Sequence, residues 1–303
     1  MRRLKLKSEK LLIVLLTALL CAFLSGCKDS NNDNDDEEPP ATKPREMIEV
    51  TVNTVLDDAG KTANFLTKWE EHMYLIVICY DKDGKVINRN QGNPPRLSGD
   101  GLSYSSAEWV GSNAATFAGK ITKGADSLVA YAFYSGLNNL PFKDITFDAD
   151  RMYDDLRYID FTSGSYKGDM ENISFTLKHR KSLMNLKVTN KTGRTITYLK
   201  LHLRTDESNK AFYGTGMYEL LSFPPVEMTC TNAVSVKISD FSVTDGAELT
   251  VPFPLWLKNE AVLDGKAFNI VAETNAGTYA VSKTGKKYES GREYDEEMVL
   301  ETK

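Results

Sequence analysis

ISFTLKHRKSLMNLKV, residues 173–188, alternates apolar and polar side chains. Ile173, Phe175 and Leu177 take one face, Ser174, Thr176 and Lys178 the other, and Leu186 and Val188 resume the pattern. A period of two is the mark of a half-buried β-strand. The pattern repeats outward in both directions. Upstream, Ile48, Val50 and Val52 alternate with Glu49, Thr51 and Asn53; downstream, Leu199, Leu201 and Leu203 alternate with Lys200, His202 and Arg204. Residues 73–80 (MYLIVICY) and 127–134 (SLVAYAFY) are continuous apolar, β-branched or aromatic runs, expected of central strands. Asp83 and Gly84 supply a hairpin turn leading to Val86 and Ile87. Later runs at 234–238, 249–255, 268–274, 278–282 and 294–300 are punctuated by turns at 275–277 and 284–286. The only helical pattern is residues 148–158, with Met152 and Leu156 on one face. Short strands at this spacing without long helices predict an all-β chain of antiparallel β-sandwiches. A boundary near residues 163–171 (SGSYKGDME) divides it into two tandem domains, 47–168 and 169–303.

Composition narrows the function. The chain has 303 residues, a net charge of -5, 41% hydrophobic residues, 3 His and 4 Cys. Arg2, Arg3, Lys5, Lys7 and Lys10 against Glu9 place +4 in the first ten residues, so the remainder carries -9. A nucleic-acid partner is not expected, because a phosphate backbone needs clustered cations. His72, His179 and His202 are scattered and no Cys pair has ligand spacing, so neither a metal nor another cofactor is expected. Cys79 and Cys230 lie far apart and are expected to be two thiols rather than a bridge.

The N-terminus carries the most specific signal. A basic segment precedes an apolar run at residues 11–24, broken only by Thr17. Fourteen residues at ~1.5 Å rise reach about 21 Å, short of the ~30 Å hydrocarbon core, so a cleaved secretory segment fits better than a membrane span. Leu24, Ser25, Gly26 and Cys27 resemble a bacterial lipobox, which predicts a lipoprotein signal peptide at 1–26 and lipid attachment, palmitate included, at Cys27. The alternative is an ordinary signal peptide with an incidental cysteine. Residues 27–46 follow as an acidic tether (KDSNNDNDDEE, then Pro39 and Pro40), with nothing apolar to offset its ordering entropy.

Catalytic constellations are missing from the sequence. There is no Gly-x-Ser-x-Gly elbow, no phosphate-binding Gly-x-x-x-x-Gly-Lys loop and no His-Glu-x-x-His, and no catalytic residue is assigned. His179 stands beside Arg180 and Lys181 with no acidic neighbour in sequence and is expected to be structural. Asp148, Asp150, Asp154 and Asp155 form a carboxylate cluster with the charges to hold a calcium ion, but a solvated loop is the favoured reading, as for most charge runs.

A family resemblance rests on particular residues. Phe175, His179 and the alternating strand to Val188 resemble the Phe-x-x-x-His segment that opens the C-terminal half of fimbrillin-family proteins, the type V pilins of Bacteroidales fimbriae. Residues 129–134 (VAYAFY), 154–158 (DDLRY), 277–279 (GTY) and 291–294 (GREY) are similar to further family features. The acidic stretch after Cys27 resembles the surface-export signal of lipoproteins of that order.

The resemblance implies two transthyretin-like sandwiches and a non-catalytic, lipid-anchored role at the outer membrane surface and in the fimbrium. It also implies fimbrial subunits as partners through β-strand addition, and a possible host protein or glycan as adhesion target. Polymerising members are cut after an arginine, which removes a strand and opens a groove for the next subunit. Arg45 is the matching cleavage point, but residues 27–45 hold no alternating apolar strand to remove, and nothing after Leu300 has one to donate. Both departures favour an anchor, tip or accessory subunit. A rival reading is a glycan-binding surface lipoprotein with aromatic platforms from Trp69, Trp109 and Trp256; a third is a secreted hydrolase built on an acidic pair.

Overall fold

The computed structural model describes residues 46–58, 60–71, 73–87, 100–104, 109–134, 142–214 and 229–301. The alternation read from the sequence sets burial strand by strand. In β1 (Met47–Leu56), Val50, Val52, Thr54 and Leu56 are buried while Glu49, Thr51, Asn53 and Val55 face out. The described residues also contain β2 (Met73–Tyr80), β3 (Asp100–Tyr104), β4 (Ala114–Thr122), β5 (Ser127–Tyr134), β7 (Phe161–Lys167) and β8 (Ile173–His179), with the short β6 (Asp144–Asp148) between β5 and β7. Seven of these close a barrel in the order β1-β4-β3-β2-β5-β7-β8.

The closure corrects the expectation of purely antiparallel sheets. β1 runs antiparallel to β4 but parallel to β8, with Val52 opposite Ile173, Thr54 opposite Phe175 and Leu56 opposite Leu177. Every one of those six residues is buried. The register therefore brings two inward faces together, which a shift of one residue would undo. β7 and β8 lie close, and a Cβ at Gly164 would meet the Thr176 carbonyl oxygen at 2.6 Å, so the pairing needs a residue without a side chain there. Residue 168, the expected domain boundary, sits in the turn between these two strands, which pair across it. The described residues from β1 onward belong to one compact unit.

The C-terminal strands build further sheets. β9 (Ser182–Lys191) lies between β14 (Glu248–Leu255), antiparallel, and β17 (Glu293–Glu301), parallel. A five-stranded sheet places β10 (Leu199–Arg204) centrally in the order β16-β15-β10-β13-β6, built with β13 (Ala233–Ser239), β15 (Ala267–Thr274) and β16 (Gly277–Thr284). Here β6 leaves the chain's first half to pair in parallel with β13. β11 (Phe212–Tyr213) and β12 (Cys230–Thr231) form a two-stranded sheet. Phe142 stacks on Phe161 of the barrel (6.0 Å) and on Trp256 after β14 (4.4 Å), and one continuous core joins the sheets.

A helix forms in the expected place, α1 (Met152–Tyr158), whose Met152 and Leu156 are buried as its period requires. The Asp83-Gly84 turn also forms: Gly84 takes a φ of 75°, which glycine adopts without steric cost, and its N–H reaches the Asp81 carbonyl at 2.9 Å. Cys79 is buried in β2, Cys230 lies half-buried in β12, and no disulfide joins them.

Candidate functional site

Strand addition, the assembly mode that the resemblance implies, would work through the first strand and the sheet edges, so these are taken as the candidate site. Cys27 and Arg45 lie outside the described residues. β1 begins two residues after Arg45 and is held on both sides: residues 47–55 pair with β4 and residues 52–56 with β8. The Thr54 hydroxyl, buried, donates to the Ala115 carbonyl at 3.0 Å. At the base of β1 the Lys123 ammonium meets the Glu46 carboxylate at 2.8 Å, an exposed pair that contributes little. The chain following Arg45 is thus built into a closed barrel, paired on both sides over residues 52–55 and with β4 alone over residues 47–51.

The C-terminal sheets do have edges. In the three-stranded sheet these are β14 and β17. β14 carries Pro252 and Pro254, which cannot donate a backbone hydrogen bond. β17 carries Glu293, Asp295, Glu296, Glu297 and Glu301 among its nine residues, while Met298 and Leu300 are buried. Prolines and inserted charges are the usual devices that stop an edge from recruiting another strand. Glu293 is anchored further, accepting from Asn64 at 3.1 Å, Asn185 at 2.7 Å and the Thr62 hydroxyl. In the five-stranded sheet the edges are the short β6 and the eight-residue β16, which contains neither proline nor carboxylate. Lys283 of β16 reaches Glu296 of β17 at 3.3 Å.

His179, which has no acidic neighbour in sequence, gains an acidic partner through the fold. Its Nδ1 lies 2.7 Å from Asp160 Oδ2, and its Nε2 lies 2.9 Å from the Asp57 carbonyl oxygen. Asp160 also accepts the Leu66 N–H at 2.9 Å, and the neighbouring Lys181 ammonium, fully buried, donates to the Leu156 carbonyl at 2.6 Å. Burial alone would raise the Asp160 carboxyl, but Lys181 and His179 overcome it and hold the group below the usual carboxylate range. Burial pushes Lys181 down, with Asp160 opposing. Both imidazole nitrogens are engaged within the protein, one by the Asp160 carboxylate and one by the Asp57 carbonyl oxygen, and the side chain is fully buried. The cluster instead ties the end of β1, the 65–66 segment, α1 and the β8–β9 connection together.

The other sequence candidates resolve simply. Asp154 meets Arg157 at 2.9 Å, Asp155 meets Arg151 at 3.9 Å, and Asp148 accepts the Asp150 N–H at 3.0 Å. Among the described residues, no group of three or more His, Cys, Asp or Glu side chains is placed to hold a metal. Trp69, Trp109 and Trp256 are buried at 0%, 9% and 3% exposure, so none forms the exposed aromatic platform of the glycan-binding reading. His202 faces Glu273 at 3.1 Å, and His72 lies outside the described residues.

No family model matches the chain, and no curated protein is significantly similar to it. Solved structures resemble it loosely. A candidate cell adhesion protein from Bacteroides ovatus ATCC 8483 is 13% identical, with a TM-score of 0.42 over 85% of this chain and 94% of its own. The fimbrial anchor protein Mfa2 from Porphyromonas gingivalis is 10% identical, with a TM-score of 0.40 over 83% and 91%. A fimbrial assembly protein from Parabacteroides distasonis ATCC 8503 is 13% identical, with a TM-score of 0.36 over 83% and 91%. At such scores the functional reading rests on this chain's own residues.

Proposed function

We propose that this protein is a non-catalytic fimbrial subunit of the cell surface, an anchor, tip or accessory part rather than a repeating stalk unit. The observation that carries the reading is the double pairing of β1: a cut after Arg45 frees the acidic tether and leaves the barrel closed. The prolines of β14 and the carboxylates of β17 support it, because they oppose strand addition at both edges of the three-stranded sheet. β16 is the least obstructed edge for a neighbouring subunit's strand. Within this reading Cys27 carries the lipid that holds the subunit in the outer membrane, residues 27–46 raise it from the surface, and the sheets beyond the barrel correspond to the transthyretin-like half of the resembled family.

Digestion with an arginine-specific protease tests the reading. The expected product is a monomer that has lost the tether. Long detergent-resistant ladders on a gel would restore the stalk role and show that a strand other than the tether is exchanged.

A further inference from the structure

The Arg45–Glu46 bond lies at the threshold of β1, and the three residues on its amine side are already committed to β4. Glu46 is exposed, but its carbonyl accepts the Lys123 N–H at 2.8 Å. Met47 and Ile48, half-buried, stand opposite Thr122 and Ile121. The Lys123 N–H bond to the Glu46 carbonyl and the Leu56 N–H bond to the Asn113 carbonyl place the hydrogen-bonded pairs of this ladder at the even-numbered residues of β1. Ile48 is thus tied to Ile121 through its backbone. Met47 and Thr122 form the close kind of pair that exchanges no backbone bonds, with the Thr122 hydroxyl 3.8 Å from the Met47 sulfur.

A protease must take the same residues for itself. It binds the chain on both sides of the bond it cuts in extended form, through backbone hydrogen bonds and side-chain pockets, and a residue paired in a sheet cannot satisfy both partners at once. The first part of β1 is also the part able to let go. Among the described residues, 47–51 are paired with β4 alone, and their other flank faces a cleft lined by Ile48, Val50, Ala118, Met170 and Glu171. This end of the strand can therefore part from β4 while the doubly paired residues 52–55 stay in place.

We propose that the start of the β1–β4 ladder gates removal of the tether: the Arg45–Glu46 bond is hydrolysed only in molecules whose residues 46–48 have come away from β4. Hydrolysis consumes one water, leaving the new carboxylate on Arg45 and the new amine on Glu46. Detachment of the folded part from the tether is then a slow step set by local opening of the barrel, not a trim of loose chain. The gate rests on the proposed cleavage at Arg45, but its readout is a rate and not the assembly state of the product, so each can fail without the other.

The test is a timed digestion of the full chain with trypsin, which cuts after Arg45 but not after Lys43, where Pro44 follows. Release of the fragment ending at Arg45 is read by mass spectrometry, and a synthetic peptide of residues 41–50 supplies the ungated rate. The chain should be cut at Arg45 about tenfold or more slowly than the peptide, since only its open fraction is a substrate. A double variant, Met47→Cys with Thr122→Cys, places two thiols at a close pair that a disulfide can span. Oxidised, it should be cut about tenfold more slowly still, and reduction before digestion should restore the rate. The gate is overturned if the chain is cut at Arg45 as fast as the peptide, or if the oxidised and reduced forms of the double variant are cut equally fast. The comparison of chain with peptide needs no variant and decides the matter even where the double variant fails to fold.

Discussion

β1 and β17, the first and last strands of the described fold, look alike on paper and are treated oppositely by it. Each runs parallel to a neighbour far from it in sequence, β1 to β8 and β17 to β9. Yet β1 is also paired with β4, whereas the far side of β17 has no partner strand among the described residues. The barrel leaves only residues 47–51 of β1 paired on one side, so β1 needs only apolar alternation. β17 ends a sheet, and five of its nine residues are acidic. Closure and charge are two solutions to the same hazard of unpaired backbone groups. The contrast bears on assembly, because a strand paired on both sides is costly to exchange and a charged edge is a poor template.

The contrast breaks most visibly under an introduced charge. Val52, with 0% exposure, faces Phe117 across one register and Ile173 across the other. Val52→Asp should cost at least about 4 kcal/mol in urea unfolding, enough to leave much of the chain unfolded, since an unpaired carboxylate would be buried in an apolar barrel. A smaller loss would mean that β1 can leave the barrel without dismantling it.

Next in size is the buried ion cluster that locks the end of β1. Asp160→Asn should cost about 3–5 kcal/mol, because it leaves the buried Lys181 ammonium without its counter-charge and breaks the short contact with His179. The pH dependence has a fixed sign. The native Asp160 carboxyl is held below its ordinary value of 3.8, so its contribution is present above that pH and lost as pH falls through the lower native value. Acid titration of stability should therefore be steeper in the parent than in Asp160→Asn; equal slopes would remove Asp160 from the account. At the small end, Val299→Asp on the outer face of β17, a site 47% exposed, should change stability by no more than about 0.5 kcal/mol in the same urea assay.

How far these features could be read in advance depends on whether their cause is local. β1, β8 and β10 were legible because apolar residues mark every second position, and α1 because Met152 and Leu156 are four apart. β4 and β7 were not, since AATFAGKIT and FTSGSYK dilute the pattern with alanine, glycine, serine and threonine where neighbours pack close. The parallel joins β1–β8, β6–β13 and β9–β17 have no sequence signal, being set by which inward faces meet once the chain folds. The partner of His179 was hidden likewise: Asp160 is 19 residues away and arrives through the β7–β8 hairpin, in which Thr162 stands opposite His179. The burial of the three tryptophans followed from their size and apolarity. The Trp256 indole N–H and the Tyr288 hydroxyl, buried without a partner among the described residues, depend on packing between distant strands, which composition does not encode.

Hydrogen exchange along β1, before and after cleavage at Arg45, tests the central claim most directly. If β1 is built into the closed barrel, the backbone amides of residues 50–56 will be as well protected in the clipped protein as in the intact one, with exchange changing only in the residues before Met47. Loss of protection along β1 once the tether is cut would contradict the account, because it would show that cleavage releases the strand and opens the groove a stalk subunit needs.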